Sequence, residues 1–456
     1  MSENKKEEMD TLVALLKRRG FIYPTALIYD GVAGFFDYGP YGAAMKENIK
    51  RVWWEQFVSS RENIYGIDGA IVLPRVMLEA SGHVGGFSDP ITEDTETGER
   101  FRADHLLEEA GVDTEGMSTE DMTEAIEEGE IKSPAGNPLS EARDFNLMLK
   151  TQLGSDSGPR GEAYLRPETA QSIFVNFKNI LDSFSPKLPF GIAQIGKAFR
   201  NEISPRNFVF RIRELEQMEV EYFVREEEWS EHFSEWQNIM NEFASRVGID
   251  PDKLHEVEVS EADRAHYSKR TIDFEFEYPF GQKELWGLAY RTDYDLSRHI
   301  EHSGAKLEYF DQESGERFVP HVIEPSLGIE RTMLAIFLSA YSTDETGEES
   351  RVFLKLPYEI APVKVAVFPL LKNKPQLTSK AREIFSEIKK EIPATHFDDN
   401  GNIGKRYRRQ DEIGTPFCIT VDFDTLEDDS VTVRHRDTGE QERVAVSDII
   451  AKIKNS

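Results

Sequence analysis

Residues 199–223 read FRNEISPRNFVFRIRELEQMEVEYF. Apolar Ile192, Ala193 and Ile195 lead into this stretch and Val220, Tyr222, Phe223 and Val224 lead out, so the pattern predicts a β-hairpin. Its turn is expected at Ser204-Pro205-Arg206-Asn207, residues that favour a tight reversal. Within the hairpin, charges of both signs occupy positions where a buried alternation would put apolar side chains. A hairpin carrying Arg200, Glu202, Arg206, Arg211, Arg213, Glu216 and Glu219 is equipped to hold a polyanion with guanidinium forks and to keep carboxylates for a cation. The plain alternative is a solvated, salt-bridged surface hairpin.

Around this stretch the pattern is that of an α+β protein. Upstream, an apolar alternation at 163–169 runs into a helix through Phe177. Downstream, Trp229, Phe233, Trp236, Met240, Phe243 and Val247 form one helical stripe of core type. Residues 271–278 and 283–289 alternate as strands, and PHVIEPSLGIERTMLAIFLSAY at 320–341 combines a strand, a small-residue turn and an apolar helix. A mainly antiparallel sheet flanked by helices follows. Nearer the N-terminus, Asp10 to Arg19 and Gly42 to Ser59 read as helices and 70–74 as a short strand. Trp53 and Trp54 offer core or subunit-interface area. Residues 91–160 form an acidic insertion containing a capped helix at Ser118 to Glu130, and 225–270 a helical insertion. The first unit is expected to span 1–360. Residues 361–456 form a second, α/β unit, with strands at 364–371, 415–423 and 430–435 and a helix from Ser379 to Glu391. Its basic run Lys405, Arg406, Tyr407, Arg408 and Arg409 suits phosphates and unstacked bases of RNA, or equally a solvated helix face.

The 456 residues carry 54 basic and 84 acidic side chains, a net charge of -30. That average field argues against non-specific nucleic-acid binding and leaves room only for local basic surfaces. No run approaches the ~18 to 20 apolar residues of a membrane span. The charged opening MSENKKEEMD has no apolar stretch behind it, so a cytoplasmic location is expected. A single cysteine, Cys418, excludes an intramolecular disulfide and a Cys-built zinc site, and no zinc is expected.

FRNE, the Arg-rich return and EQME resemble the second signature motif of class II aminoacyl-tRNA synthetases. GIER at 328–331, entering an apolar helix, resembles the third, and the helix ending in Trp53-Trp54 with the strand to Pro74 resembles the first, which makes the dimer in that class. SGH at 81–83, FRADHL at 101–106, RPETAQ at 166–171, WGLAYRTDYDLSRH at 286–299 and EPSLGIER at 324–331 together resemble the dimeric glycyl-tRNA synthetases. The resemblance covers nearly the whole chain, and 361–456 resembles an anticodon-binding domain. It implies ligation of glycine to tRNA(Gly) through a glycyl-adenylate, with ATP and Mg²⁺, by a homodimer. The competing readings are a prolyl or threonyl enzyme and a catalytically silent accessory protein.

The resemblance also implies roles. Arg200 and Arg331 are the catalytic pair, Arg200 holding the α-phosphate and the reacting carboxylate. Glu202 meets the adenine amino group, while Arg211 and Arg331 bind the outer phosphates or cover the base. Asn201, Phe210, Ile212, Arg213, Glu214, Leu215, Leu285, Gly328, Ile329 and Glu330 complete the ATP site, and Glu284 ligates Mg²⁺. Glu168 and Glu219 take the glycine ammonium, Arg291 orients them and Ser326 approaches the α-carbon. Arg102, Leu215, Glu216, Gln217, Met218, Glu324 and Gly328 complete the amino-acid site. One position departs from the family pattern, which ends Arg-x-x-x-Phe: here Arg211 leads to Leu215. Leucine packs apolar surface on a base but lacks the π face. Arg206 to Phe210 fits the same pattern, but its spacing to EQME does not fit.

Overall fold

The computed structural model describes residues 3–454 apart from 115, 156–157, 159–160, 262–263, 266 and 347–348. The main sheet has seven strands: β1 Ile64–Gly66, β2 Phe190–Phe199, β3 Glu214–Val224, β4 Leu254–Glu258, β5 Arg270–Tyr278, β6 Gly281–Thr292 and β7 His321–Gly328. They lie in the order β4-β5-β6-β7-β3-β2-β1. Every neighbouring pair is antiparallel except β1 with β2. The principal helices are α1 Glu3–Arg19, α2 Pro40–Trp54, α3 Thr119–Glu128, α4 Ala170–Phe184, α5 Trp229–Val247, α6 Tyr294–Ser303, α7 Ile329–Ala340, α8 Pro375–Glu391 and α9 Ile403–Glu412.

One face of the sheet is covered. Trp53 of α2, Trp236, Met240 and Phe243 of α5, and Met333 and Phe337 of α7 pack against Met218, Val220, Phe274 and Trp286 of the strands. Trp53 is fully buried and stacks on Phe57, with ring centroids 5.0 Å apart. The two-residue period of a strand therefore sends Met218 and Val220 into this core and Gln217, Glu219 and Glu221 to the opposite face.

The hairpin exists, but its reversal is a long loop. β2 and β3 pair from Phe190↔Phe223 to Phe199↔Glu214. Within 200–213 the turn proper is closed by a bridge between Arg206 and Arg211, with Asn207 and Phe208 both left-handed at φ 59° and 58°. The turn thus lies two to three residues later than Ser204–Asn207, and the rest of the molecule holds the loop on either side of it. Arg213, for example, donates through its backbone N to the carbonyl of Gly34 at 2.8 Å. Gly34 has φ 76°, and a Cβ there would lie 2.7 Å from Pro205 Cγ, so only glycine fits.

Residues 225–270 are built into the sheet, not set upon it: they supply α5 to the main core and edge strand β4. Between β1 and β2, three-stranded sheets at 88–93, 100–102 and 143–146 and at 72–74, 149–152 and 162–165 carry the acidic segment. Its helix α3 opens with the expected cap, a reciprocal pair between Ser118 and Asp121, and packs Met122 and Ile126 on Ala103 and Leu107. The C-terminal unit has strands β8 Val365–Pro369, β9 Thr395–Phe397, β10 Phe417–Val421, β11 Ser430–His435 and β12 Gln441–Ala445, in the order β9-β8-β10-β11-β12. Cys418 is buried in it as a reduced thiol.

The back of β3 carries a charge, Glu216, on the core side. It is answered by α2: Lys46 Nζ lies 3.0 Å from Glu216 and 2.7 Å from Glu330, and Lys50 2.9 Å from Glu216. Glu330 also accepts from Tyr38 Oη at 3.1 Å and from the backbone N of Glu216 at 2.9 Å. Replacing Lys46 with Met strands the buried Glu330 carboxylate and leaves Glu216 to Lys50 alone, and is expected to destabilise the fold by about 3 to 5 kcal/mol in denaturant unfolding. A change under about 1 kcal/mol would show that this network is not what joins α2, β3 and α7.

Candidate active site

The open face of the sheet is organised in cross-strand rows. One row runs Gln194, Glu219, Ser326, Gly287, Asp273 across β2, β3, β7, β6 and β5. Two residues along, Ala289 of β6 stands beside Glu324 of β7. Two clefts meet over these rows and share Arg200, Gln217, Glu284 and Ser326.

The first cleft, about 690 Å³, is lined by Arg200, Glu202, Phe210, Arg211, Ile212, Leu215, Leu285, Gly328, Glu330 and Arg331 among others. Arg331, in the first turn of α7, donates through Nη1 to the Glu284 carbonyl at 2.9 Å and to its carboxylate at 3.0 Å. Arg331 holds the half-exposed Glu284 carboxyl below its ordinary range. The Arg331 guanidinium lies 4.4 Å from the centre of the Phe210 ring, which is itself set edge-on to Tyr278 and Phe280 at 5.0 Å. No flat ring fits between Arg331 and Phe210 at that spacing, so Phe210 backs the guanidinium. Leu215 lines the same cleft. Arg200 donates through Nε to the Pro167 carbonyl at 3.1 Å, and among the described residues it forms no ion pair. Arg211 pairs with Glu202 at 3.2 Å, and Arg213 supports that residue from behind through the Glu202 carbonyl at 2.9 Å.

The second cleft, about 880 Å³, is a carboxylate pocket lined by Glu168, Glu219, Tyr267, Asp273, Glu324 and Ser326 among others. Glu219 accepts from Ser326 Oγ at 2.7 Å, from Gln217 Nε2 at 2.7 Å and from Thr169 Oγ1. Burial, and then the neighbouring Glu168, raise its carboxyl above the ordinary range. Glu168 accepts from Gln171 at 3.0 Å and lies 3.5 Å from His83 Nε2, whose Nδ1 meets Ser81 Oγ at 2.7 Å. Burial works to raise the Glu168 carboxyl, but His83, Arg291 and Gln171 together bring it well below the usual range. Arg291 is fully enclosed: Nε and Nη2 donate to Asp295 at 2.8 and 2.9 Å, Nη1 to Glu324 at 2.9 Å, and Tyr267 covers its face at 3.8 Å. Burial pushes Glu324 up to about 8, and burial with Glu284 nearby pushes Asp273 up to about 7. The pocket thus concentrates carboxylates around one guanidinium, an environment for a cation.

Several sequence-named residues lie elsewhere. Glu216 and Met218 face the core, since they stand one residue out of phase with Gln217 and Glu219. Ile329 is also core. Glu214 pairs with Lys197 at 2.8 Å, and the backbone N of Asn201 anchors the loop to the Leu147 carbonyl at 2.6 Å. Arg102 is outside both clefts, held by Asp89 at 2.6 Å and by Asp104. In the C-terminal unit the basic run is divided by the helical period of α9. Lys405 and Arg408 are exposed, whereas Arg406 is buried and donates to the carbonyls of Pro369, Asp399, Asn400 and Gly401. Tyr407 turns inward to Thr420 Oγ1 at 2.6 Å, and Arg409 pairs with Asp398. A single five-residue basic surface is therefore corrected to two outward cations. Conversely, sequence reading passed over Ser81, His83, Thr169, Gln171 and Asp295. The first four stand in the SGH and RPETAQ segments, and a four-residue step from Arg291 reaches Asp295.

Two family models match the chain: the tRNA synthetase class II core domain (G, H, P, S and T) over residues 155–340 and the anticodon binding domain over 364–456. The chain is also similar to curated glycine–tRNA ligases. That of Caldanaerobacter subterraneus subsp. tengcongensis is 48% identical over 97% of this chain and 97% of its own length. Those of Thermobifida fusca and Corynebacterium efficiens are 48% and 49% identical, over 98% and 97% of this chain and 97% and 96% of their own.

Proposed function

The chain belongs to the glycine–tRNA ligases of the class II aminoacyl-tRNA synthetases, and from that membership we propose how its two clefts divide the work. The enzyme uses ATP to join glycine to tRNA. In our reading the carboxylate pocket takes the glycine ammonium, and the arginine-lined cleft takes ATP. The observation that carries this reading is Arg200, an arginine without an ion pair among the described residues, at the seam the two clefts share. A guanidinium there can bind the glycine carboxylate and the α-phosphate together.

Glycine's carboxylate oxygen attacks the α-phosphorus, the bond to the bridging oxygen breaks, and pyrophosphate leaves. The glycine carboxylate is already ionised, so no general base is needed. Catalysis then rests on alignment and on stabilising charge at phosphorus. Arg200 supplies both, and Arg211 and Arg331 hold the outer phosphates or cover the base. Glu202 is set to accept from the adenine amino group, and Leu215 offers apolar surface to one face of the ring. In the second step a terminal hydroxyl of the tRNA attacks the carbonyl carbon and AMP leaves. Glu284 would hold Mg²⁺, which offsets phosphate charge when bound. The donor set fits an ion shared with substrate: Glu284 is a single half-exposed carboxylate lining both clefts, leaving the other oxygen ligands to phosphates and water.

Thr169, Ser326 and Gln217 hold Glu219 in place, and through it the room beside the α-carbon. Glycine-dependent exchange of pyrophosphate into ATP is the direct test, and no exchange with any amino acid would favour a silent relative. Ser326→Ala is expected to keep that exchange while lowering discrimination against alanine by about tenfold. Unchanged discrimination would remove Ser326 from the specificity role.

We further propose that the chain divides near residue 360 into the catalytic unit and the tRNA-reading unit, where Lys405 and Arg408 are the outward cations of α9. It acts as a cytoplasmic homodimer. A second copy would cover the apolar loop before α2, where Leu27, Ile28, Tyr29 and Val32 are 60%, 86%, 79% and 50% exposed. Light scattering should give a dimer for the native chain and a monomer for Ile28→Asp; a dimer that survives the substitution moves the interface elsewhere.

A further inference from the structure

The roles above leave one buried ionisable group unused. Glu221 follows Glu219 by two residues on β3, shares its face, and is fully buried. Neither of its carboxyl oxygens has a hydrogen-bond partner. The strand register pairs Glu219 with Ser326 and Tyr222 with Ile323, which sets Glu221 directly opposite Glu324. Side chains so opposed have Cβ atoms about 4.5 to 5.5 Å apart, and like charges there repel. On the other side β2 presents apolar Ile192. The remaining charges around the pair are Glu219 on β3, Arg291 at the end of β6, Asp295 on α6, and Glu168 ahead of α4. Arg291 donates hydrogen bonds to Asp295 and Glu324 and acts on Glu221 only through space. An ionised Glu221 would be a desolvated charge without a hydrogen bond, with the carboxylates of Glu324 and Glu219 set against the one guanidinium of Arg291, whereas the neutral acid has an O–H to donate to Glu324.

We propose that Glu221 is a positioning residue of the amino-acid pocket that holds one proton in common with Glu324, and that capture of an α-ammonium group expels this proton. The proposal rests on the reading of the pocket as the glycine site. Before glycine binds, the pair carries one negative charge and one proton. The arriving ammonium favours the doubly ionised pair, so the proton passes to solvent while glycine keeps its own. Burial raises both carboxyls, Glu324 to about 8 and Glu221 well above the ordinary range, and the proton belongs to the pair. The sign follows: a group whose pKa is high in the free enzyme and lower in the complex makes binding tighter as pH rises between the two values. Deprotonation of glycine itself would weaken binding with rising pH, the opposite trend.

KM for glycine in pyrophosphate exchange, measured from about pH 6 to about pH 8, is therefore expected to fall by up to tenfold per pH unit in the native enzyme. Glu221→Gln fixes a neutral amide at the position and should flatten that slope. The His83 imidazole beside Glu168 is untouched by this substitution, so the comparison isolates the Glu221 pair. Calorimetry with glycine in two buffers of different ionisation heat should register about one proton released by the native enzyme and equally by Asp273→Asn, whose raised carboxyl lines the same pocket, and this decides the matter even if Glu221→Gln fails to fold. A native slope retained in Glu221→Gln, or glycine binding without proton release, overturns the proposal and leaves the pocket reading standing. Indifference of glycine KM to Glu219→Gln strikes the pocket reading instead, and this proposal with it.

Discussion

Arg291 is the group around which the carboxylate pocket is arranged. A guanidinium removed from water is tolerable only if its donors are met with good geometry, and here Asp295 takes two nitrogens and Glu324 a third. Meeting those partners requires β6 to end abruptly and α6 to begin at once. Thr292 makes that reversal with φ 59°, a left-handed conformation costly for a β-branched residue. The ion cluster holds the strain, and in return it fixes the three elements that frame the pocket.

The surrounding charges follow from the same constraint. With Arg291 hydrogen-bonded to Asp295 and Glu324, Glu219 is held by neutral donors, Thr169, Ser326 and Gln217, and Glu168 by Gln171 with His83 3.5 Å away. Such donors fix a carboxylate in place without cancelling its charge, which is what a site for a small cation requires. On the other side of Gln217 and Ser326 the balance reverses, with Arg200, Arg211 and Arg331 against Glu202 and Glu284, the third lining carboxylate, Glu330, being paired with Lys46 from behind. The boundary between a negative and a positive pocket therefore runs along the open face of β3 and β7. A zwitterion beside a polyphosphate is the substrate pair that matches such a boundary.

The covered face ties this boundary to the rest of the chain. Glu330 stands next to Arg331 in α7 and is locked to Lys46 of α2 and to the backbone of β3. The cleft and the N-terminal helix region are therefore one mechanical unit. The loop of 200–213 is similarly strapped to residues 33 and 34 by the guanidinium and the backbone N of Arg213, so the segment that bears the exposed Leu27–Val32 patch is tied to the arginine-lined cleft.

Local pattern was enough for much of this. Alternation at 271–278, the helical stripe from Trp229 to Val247, the Ser118 cap and the motif order FRNE, EQME and GIER depend on residues near one another in sequence, so fold class, family and most of the cleft were legible before any coordinates. What the sequence could not determine was phase and partnership. Glu216 and Glu219 look alike in a string of glutamates, but the direction in which β3 enters the sheet sends one to Lys46 and the other to Ser326. The run 405–409 looks uniformly basic, but the carbonyls that capture Arg406 come from 369 and 399–401, which only the folded domain brings to it. Glu221 opposes Glu324 through a strand register spanning about a hundred residues of chain. In each case the deciding partner is distant in sequence, and a side chain's charge is legible locally while what answers it is not.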